Sequence, residues 1–292
     1  MKYTGPIFRP PIEANTVLLQ VTVGCAHNKC TFCTMYRGTQ FCIEQIDQIE
    51  NDLKEAKERY RSLKRIFLLN GDVFVLSARR LKEISKKIIE YFPEMETITM
   101  YAPIRNIITK TDEELRELRD LRINDLWVGL ETGNDEILKR FNKGSTLKDS
   151  YEQLERLNNA GIRHNAIFML GTAGRGNGIE AAIGAAKLIN KTKPQFVGIT
   201  SLGFFDGSEL TREVKDGTFI PATELEILEE EKKLIELIEV ENMPFYGNHP
   251  INATSIAGII PRDREKMIET INYAVKTAGE EFLNSTAERS TL

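Results

Sequence analysis

Short apolar runs alternate with amphipathic stretches six times along this chain, and that alternation restricts the fold more than any other feature. The runs cover residues 16–23, 65–69, 97–101, 125–130, 165–170 and 196–200. They are short and rich in β-branched and large apolar residues, as buried strands are. Between them, apolar residues recur every three or four positions, which marks one face of a helix. Ile43, Ile46, Ile49, Leu53, Ala56 and Tyr60 do so first, then Leu81, Ile84, Ile88 and Phe92. Thr111 and Glu114 spell a capping box ahead of Leu115, Leu118 and Leu121, and Gly161 stands as a C-terminal cap. Repeated strand–helix units imply parallel strands joined by right-handed crossovers. Six units are too few to close an eight-stranded barrel. The expected fold class is therefore α/β, a partial (β/α)6 TIM-like barrel with parallel strands and C-terminal helices. An N-terminal rim segment (1–15) precedes the barrel (16–220), and a helical extension (221–292) carries helices near 222–241 and 263–278.

In barrels of this kind the chemistry sits at the C-terminal ends of the strands. The unusual residues of this chain follow strand ends. Cysteines come after the first, Asn70-Gly71-Asp72 after the second and Arg105 after the third. Glu131-Thr132-Gly133 follows the fourth and Gly171-Thr172-Ala173-Gly174 the fifth.

The cysteines stand at positions 25, 30, 33 and 42. A disulfide framework would spread them along the chain, so their clustering points to metal. Cys25, Cys30 and Cys33 are spaced C-x4-C-x2-C, and three thiolates on one loop can ligate three irons of a cubane cluster, leaving the fourth open. Zinc held by Cys25, His27, Cys30 and Cys33 is the rival, although a Cys-x-His pair is awkward for one ion. Cys42 reads as an inert thiol or, through its nearness to the loop, as a radical partner. His249, ahead of Pro250, reads as a proton donor or an ordinary turn residue; His27 and His164 are open.

Charge and hydropathy narrow the partners. The chain has 39 basic and 43 acidic residues, a net charge of −4, so as a whole it lacks the basic footprint of a nucleic-acid binder, while leaving room for a local basic surface. No run approaches the roughly 18 apolar residues of a membrane span, and the first residues lack the apolar core of a signal peptide. A cytoplasmic protein with no membrane partner is expected.

The loop from Gly24 to Cys33 resembles the cluster loop of the radical S-adenosylmethionine (SAM) superfamily, with Phe32 at its aromatic position. The usual spacing there is C-x3-C-x2-C, so this chain carries one extra residue. Gly129-Leu130-Glu131-Thr132-Gly133, Leu138-Lys139, Lys143-Gly144, Gly171 to Gly174 and Gly207-Ser208-Glu209-Leu210 are similar to further superfamily segments. The whole is closest to a variant group resembling the coproporphyrinogen oxidase and elongator-type branch. The resemblance implies a [4Fe–4S] cluster on Cys25, Cys30 and Cys33, which cleaves SAM reductively to a 5′-deoxyadenosyl radical that abstracts hydrogen. It implies SAM contacts from Phe32, Asn70, Gly71, Asp72, Arg105, Glu131, Lys143 and Leu170. Phe168 is open between the adenine and the core, and Lys139 and Arg140 compete with Lys143. Asp72 stands where the family has a longer Glu, which opens the alternative of contact through backbone carbonyls. An anaerobic oxidoreductase is expected, with a flavodoxin- or ferredoxin-like electron donor. Without a basic or acyltransferase domain, a small-molecule substrate is favoured over RNA. A non-catalytic Fe–S or zinc protein on a barrel scaffold is the alternative, and a scaffold that binds SAM without cleaving it a third reading.

Overall fold

Each apolar run becomes a strand, and most amphipathic stretches wind into helices against it. The computed structural model describes residues 1–289. In chain order the elements begin with β1 (Val17–Gln20), β2 (Thr22–Val23), β3 (Cys42–Ile43), α1 (Ile46–Arg59) and β4 (Arg65–Leu69). Then come α2 (Ala78–Tyr91), β5 (Thr97–Tyr101), α3 (Ile104–Ile107), α4 (Asp112–Asp120) and β6 (Ile123–Glu131). Next are α5 (Asp135–Arg140), α6 (Leu147–Ala160), β7 (Arg163–Leu170), α7 (Gly178–Thr192), β8 (Phe196–Ser201) and α8 (Glu209–Asp216). The chain ends with α9 (Glu224–Leu237), β9 (Met243–Gly247), β10 (Ile256–Ile260), α10 (Arg264–Thr277) and α11 (Glu280–Asn284). The strand order is β1-β4-β5-β6-β7-β8-β9-β10, and β2 and β3 form a separate antiparallel ribbon.

Two compact units divide the chain. The first comprises residues 1–28, 35–129 and 152–164; the second comprises 29–34, 130–151 and 165–292. In the first, β1, β4, β5 and the start of β6 pair in parallel, and the capping box expected at Thr111 and Glu114 is present. Glu13, ahead of β1, is buried: it pairs with the Arg65 guanidinium and accepts from Trp127 Nε1 at 3.0 Å, while Arg65 also reaches Asp125 at 2.7 Å. Burial works against the Glu13 charge, but hydrogen bonds from Arg65, Thr16 and Trp127 hold its carboxyl below the usual range.

In the second unit β7, β8 and β9 run parallel and β10 returns antiparallel to β9. The two last strands lie where the sequence suggested only a loop between helices. Pro244 and Gly247 mask β9, since both residues are poor strand formers. The small buried face of α7 (Ala181, Ala182, Ala185, Ala186) lets α9 pack closely, and α9 opens on a capping box of Thr223 and Glu226.

That helix also buries two consecutive carboxyls. Glu230 and Glu231 are 3% and 1% exposed, and burial raises both to about 8. The charge of Glu230 adds to the rise at Glu231, and the Gly171 N–H bond to Glu230 opposes it there. The unfolded chain loses these protons near pH 4.5 while the folded chain keeps them to about 8, so stability falls as pH rises through that window. Chemical denaturation at pH 5 and pH 8 is expected to show Glu231→Gln losing less stability than the parent, by roughly 3 kcal/mol. Equal pH slopes in the two proteins would remove the buried acid as its source.

Candidate functional site

In the first unit the end of β4 is held by its neighbours in space. Asn70 N–H donates to Thr22 Oγ1 at 3.0 Å, and the Tyr36 hydroxyl donates to Asn70 Oδ1 at 3.5 Å. Asn70 is fully buried, and its Nδ2 has no partner among the described residues. Gly71 is glycine for space, because a Cβ there would stand 2.3 Å from the Tyr36 ring. Asp72, also fully buried, accepts from Arg105 Nη2 at 2.6 Å and from the Asn106 amide.

Both Asp72 oxygens are engaged, so Asp72 is no unpaired carboxylate. Arg105 and Asp72, assigned separately to SAM from the sequence, neutralise each other. Behind them the buried Lys110 donates to Asn106 O at 3.4 Å and Phe74 O at 3.1 Å, and burial lowers its ammonium to about 8 against the opposing charges of Glu114 and Asp72. Tyr36, Asn106 and Lys110 went unnoticed in the sequence, where nothing in their spacing singles them out.

Cys25 Sγ lies 4.0 Å from Asp72 Oδ2 and accepts from Asn28 N–H at 3.5 Å. Burial pushes its thiol up and Asp72 adds to the rise, while N–H groups of Asn28 and His27 and the Arg105 charge pull the other way. Asn28 has φ 43° and its amide donates to Tyr36 O at 3.0 Å. Asparagine tolerates that left-handed backbone, so the longer first gap of the cysteine loop is taken up at a residue suited to it.

In the second unit the turn carrying Cys30, Phe32 and Cys33 is tied to the segment after α5. Thr31 N–H donates to Phe141 O at 3.2 Å, Thr31 Oγ1 to Arg140 O at 3.0 Å, and Asn142 Nδ2 to Lys29 O at 3.1 Å. Leu210 N–H adds a bond to Thr31 O at 3.0 Å. The Phe32 and Phe141 rings are 4.8 Å apart. Lys143 Nζ stands 5.9 Å from the Phe32 ring centre and 2.7 Å from Glu131 Oε1. Of the three competing bases it is Lys143 that meets Glu131, whereas Arg140 pairs with Glu213 at 3.1 Å. Glu131 itself closes β6 with φ 64°, and two residues on, Gly133 touches Gly184 so closely that a Cβ would stand 2.2 Å from its carbonyl carbon.

Leu170 is 2% exposed and lines a small cavity with Glu131, Thr132, Phe168, Met169 and Glu230. Met169, the residue before it, also packs with Phe32 against the Ile137–Phe141–Leu210 cluster. Among the histidines, His164 is buried with neither ring nitrogen partnered, and burial lowers it to about 4. His249 Nδ1 accepts from Ile251 N–H at 3.4 Å, and burial lowers it too. Cys42 is exposed on β3.

Residues 19–188 match the Radical SAM superfamily. The chain belongs to that superfamily. It is an enzyme of the radical SAM class, whose cofactors are a [4Fe–4S] cluster and SAM. It is similar to the heme chaperone HemW of Lactococcus lactis subsp. lactis (strain IL1403), 26% identical over 148 residues, which are 50% of this chain and 38% of that protein. The chain thus spans well under half the length of that relative. Among solved structures, coproporphyrinogen III oxidase (HemN) from Escherichia coli matches with a TM-score of 0.52 at 14% identity, over 84% of this chain and 64% of that one. The archaeal Methanocaldococcus infernus Elp3 gives 0.53 at 14%, over 88% and 63%. These neighbours share the fold, a partial barrel built on a mostly parallel sheet with surrounding helices.

The donor set fits such a cluster. Cys25, Cys30 and Cys33 are each partly exposed and none forms a disulfide, and thiolates are the ligands that iron–sulfur clusters take. Buried polar atoms without partners at strand ends, Asn70 Nδ2 and Thr132 Oγ1, suit a polar ligand nearby. Among the described residues no three His, Cys, Asp or Glu side chains stand as a ready metal set, so the fit rests on donor chemistry. Lys143→Met would leave Glu131, 10% exposed in its side chain, without its cation. Breaking one side of a buried pair costs about 3 kcal/mol, and urea denaturation should show a loss of that size. An unchanged midpoint would mean that the pair does not form.

Proposed function

We propose that this chain cleaves SAM reductively and directs the resulting radical at a C–H bond of a small-molecule substrate. The observation that supports this most is the fixing of the Cys30–Phe32–Cys33 turn, through Thr31, to the segment bearing Lys143, which in turn holds Glu131. When bound, the cluster and SAM supply one-electron chemistry, giving a 5′-deoxyadenosyl radical.

In this reading Cys25, Cys30 and Cys33 ligate the cluster, and residues 16–220 form the catalytic barrel with 221–292 as its extension. Lys143, whose Nζ stands 2.7 Å from Glu131 Oε1, receives the SAM carboxylate with its ammonium. Glu131 keeps a second carboxylate oxygen to accept from the ribose or amino group. Main-chain carbonyls around Asn70 and Gly71 receive the SAM ammonium, and the Asn70 amide donates to a carboxylate oxygen. Asp72 fixes Arg105, which then orients toward an anionic group of SAM or substrate. Phe32 gives an apolar wall that Met169 continues, and Leu170 lines the cavity beside Glu131. The longer cysteine spacing and the half-length match to its relatives leave the substrate of those proteins with those proteins.

Anaerobic reconstitution with iron and sulfide tests the proposal. Addition of dithionite and SAM is expected to release 5′-deoxyadenosine, with Cys30→Ala abolishing both the product and the visible iron–thiolate absorption. Lys143→Met should keep the absorption and weaken SAM binding about tenfold, the loss of one charge-assisted contact. Stoichiometric zinc in place of the cluster, or a complete cluster that leaves SAM intact, would overturn the proposal in favour of a metal-binding scaffold.

A further inference from the structure

At the other ends of the strands, in the first unit, two helix exits lie side by side. One is the turn from α4 into β6, at Arg122; the other is the turn from α6 into β7, at Gly161. Both residues have left-handed backbone, with φ 72° and 74°. Glycine is the ordinary occupant of such a helix exit, and Gly161 obeys. An arginine at the same place is strained, so its side chain has a use that outweighs the cost.

Arg122 looks into a hollow of about 320 Å³ lined by Arg119, Asp120, Arg122, Asn124, Gly161 and Arg163. Three guanidinium groups meet one carboxylate there. Asp120 is taken by Arg119 at 2.9 Å. Among the described residues the side chains of Arg122 and Arg163 have no hydrogen-bond or ion-pair partner. The acid beside the hollow, Glu96, is engaged by Lys64 at 2.7 Å. Gly161 adds room: a Cβ there would press on Arg119 Nε at 3.3 Å. The site therefore carries two unspent positive charges in a concavity the size of a small ligand.

A second backbone irregularity converges on the same place. The β5–β6 register pairs Ile98 with Ile123 and then Thr99 with Asp125, so Asn124 is the extra residue of a bulge. Bulges re-aim a side chain. Asn124 Nδ2 donates to Glu96 O at 2.9 Å, which turns its Oδ1 the other way, and that oxygen is buried without a donor. Donors for an anion and one unmet acceptor together describe a ligand that carries both an anionic oxygen cluster and a hydroxyl.

We infer that this hollow binds a phosphate monoester of a hydroxylated small molecule, such as a sugar phosphate, with Arg122 and Arg163 holding the phosphate and Asn124 Oδ1 accepting from a hydroxyl. The site is independent of the cysteine loop and of any SAM chemistry.

Ribose 5-phosphate, ribose and inorganic phosphate serve as probes, titrated calorimetrically into the intact chain at low salt. Saturable binding of ribose 5-phosphate is expected, at least tenfold tighter than inorganic phosphate, with none for ribose. Arg122→Gly suits the left-handed backbone, so it should leave the melting temperature equal or higher while weakening ribose 5-phosphate tenfold or more. Asn124→Ala should shrink the preference for ribose 5-phosphate over phosphate. Unchanged affinity in Arg122→Gly, equal binding of ribose, or no saturable binding of any probe would overturn the inference, and an unchanged preference in Asn124→Ala would overturn the hydroxyl contact.

Discussion

The ion pair between Glu131 and Lys143 organises the second unit, because each partner stands at the end of a different constraint. Glu131 closes β6 in a left-handed conformation, which turns the chain sharply into Thr132 and Gly133. Gly133 then rests directly on Gly184 of α7, so the turn is fixed from outside as well. Lys143 follows α5, and that helix exit is the same stretch whose carbonyls at Arg140 and Phe141 receive Thr31. A buried carboxylate and a buried ammonium are each costly alone. Joined at 2.7 Å, they fix the spacing between the strand end and the Cys30–Cys33 turn without further packing.

The first unit solves a similar problem differently. Asp72 would be an unpaired charge at the mouth of β4, and Arg105 and Asn106 satisfy it from α3. Lys110, a turn further on, props Asn106 through its carbonyl. The arrangement converts a carboxylate into a structural clamp. Tyr36 completes it by covering Gly71 and reaching Asn70, which makes glycine and tyrosine at these positions a matched pair.

Much of this was readable in advance, for a physical reason. Parallel strands buried on both faces are written as continuous apolar runs, and all six such runs became strands. The cysteine spacing, Glu131 and Lys143 were legible because charge or sulfur at a strand end is conspicuous. What was hidden follows from what a sequence does not carry. The strand at 243–247 contains Pro244 and Gly247, poor strand formers, although it pairs on both sides, with β8 and with β10. That Met169 packs beside Phe32 depends on the parity of β7, which an apolar run conceals because both faces are apolar. Glu230 and Glu231 look like surface charges on an amphipathic helix, but tertiary packing buries them, Glu230 against Gly178 of α7 and Glu231 against Gly247 of β9.

Backbone strain separates the purposeful polar residues from the incidental ones. Among the described residues six non-glycine residues have positive φ: Asn28, Arg122, Glu131, Asn142, Lys193 and Asn242. The three asparagines are cheap there, and the amides of Asn28 and Asn142 tie the cysteine loop to Tyr36 O and Lys29 O. Lys193 ends α7 as a C-cap, a place where a cation also meets the negative end of the helix. Glu131 and Arg122 have no such excuse of size. Glu131 carries the ion pair on which the second unit turns, and Arg122 faces a hollow with its charge unspent. Strain of about 1–3 kcal/mol per residue persists only where surrounding structure over-determines it. Its coincidence with the two places where charge is held in readiness makes the opposite ends of the strands comparable: at each, a residue that should have been glycine is long and charged instead.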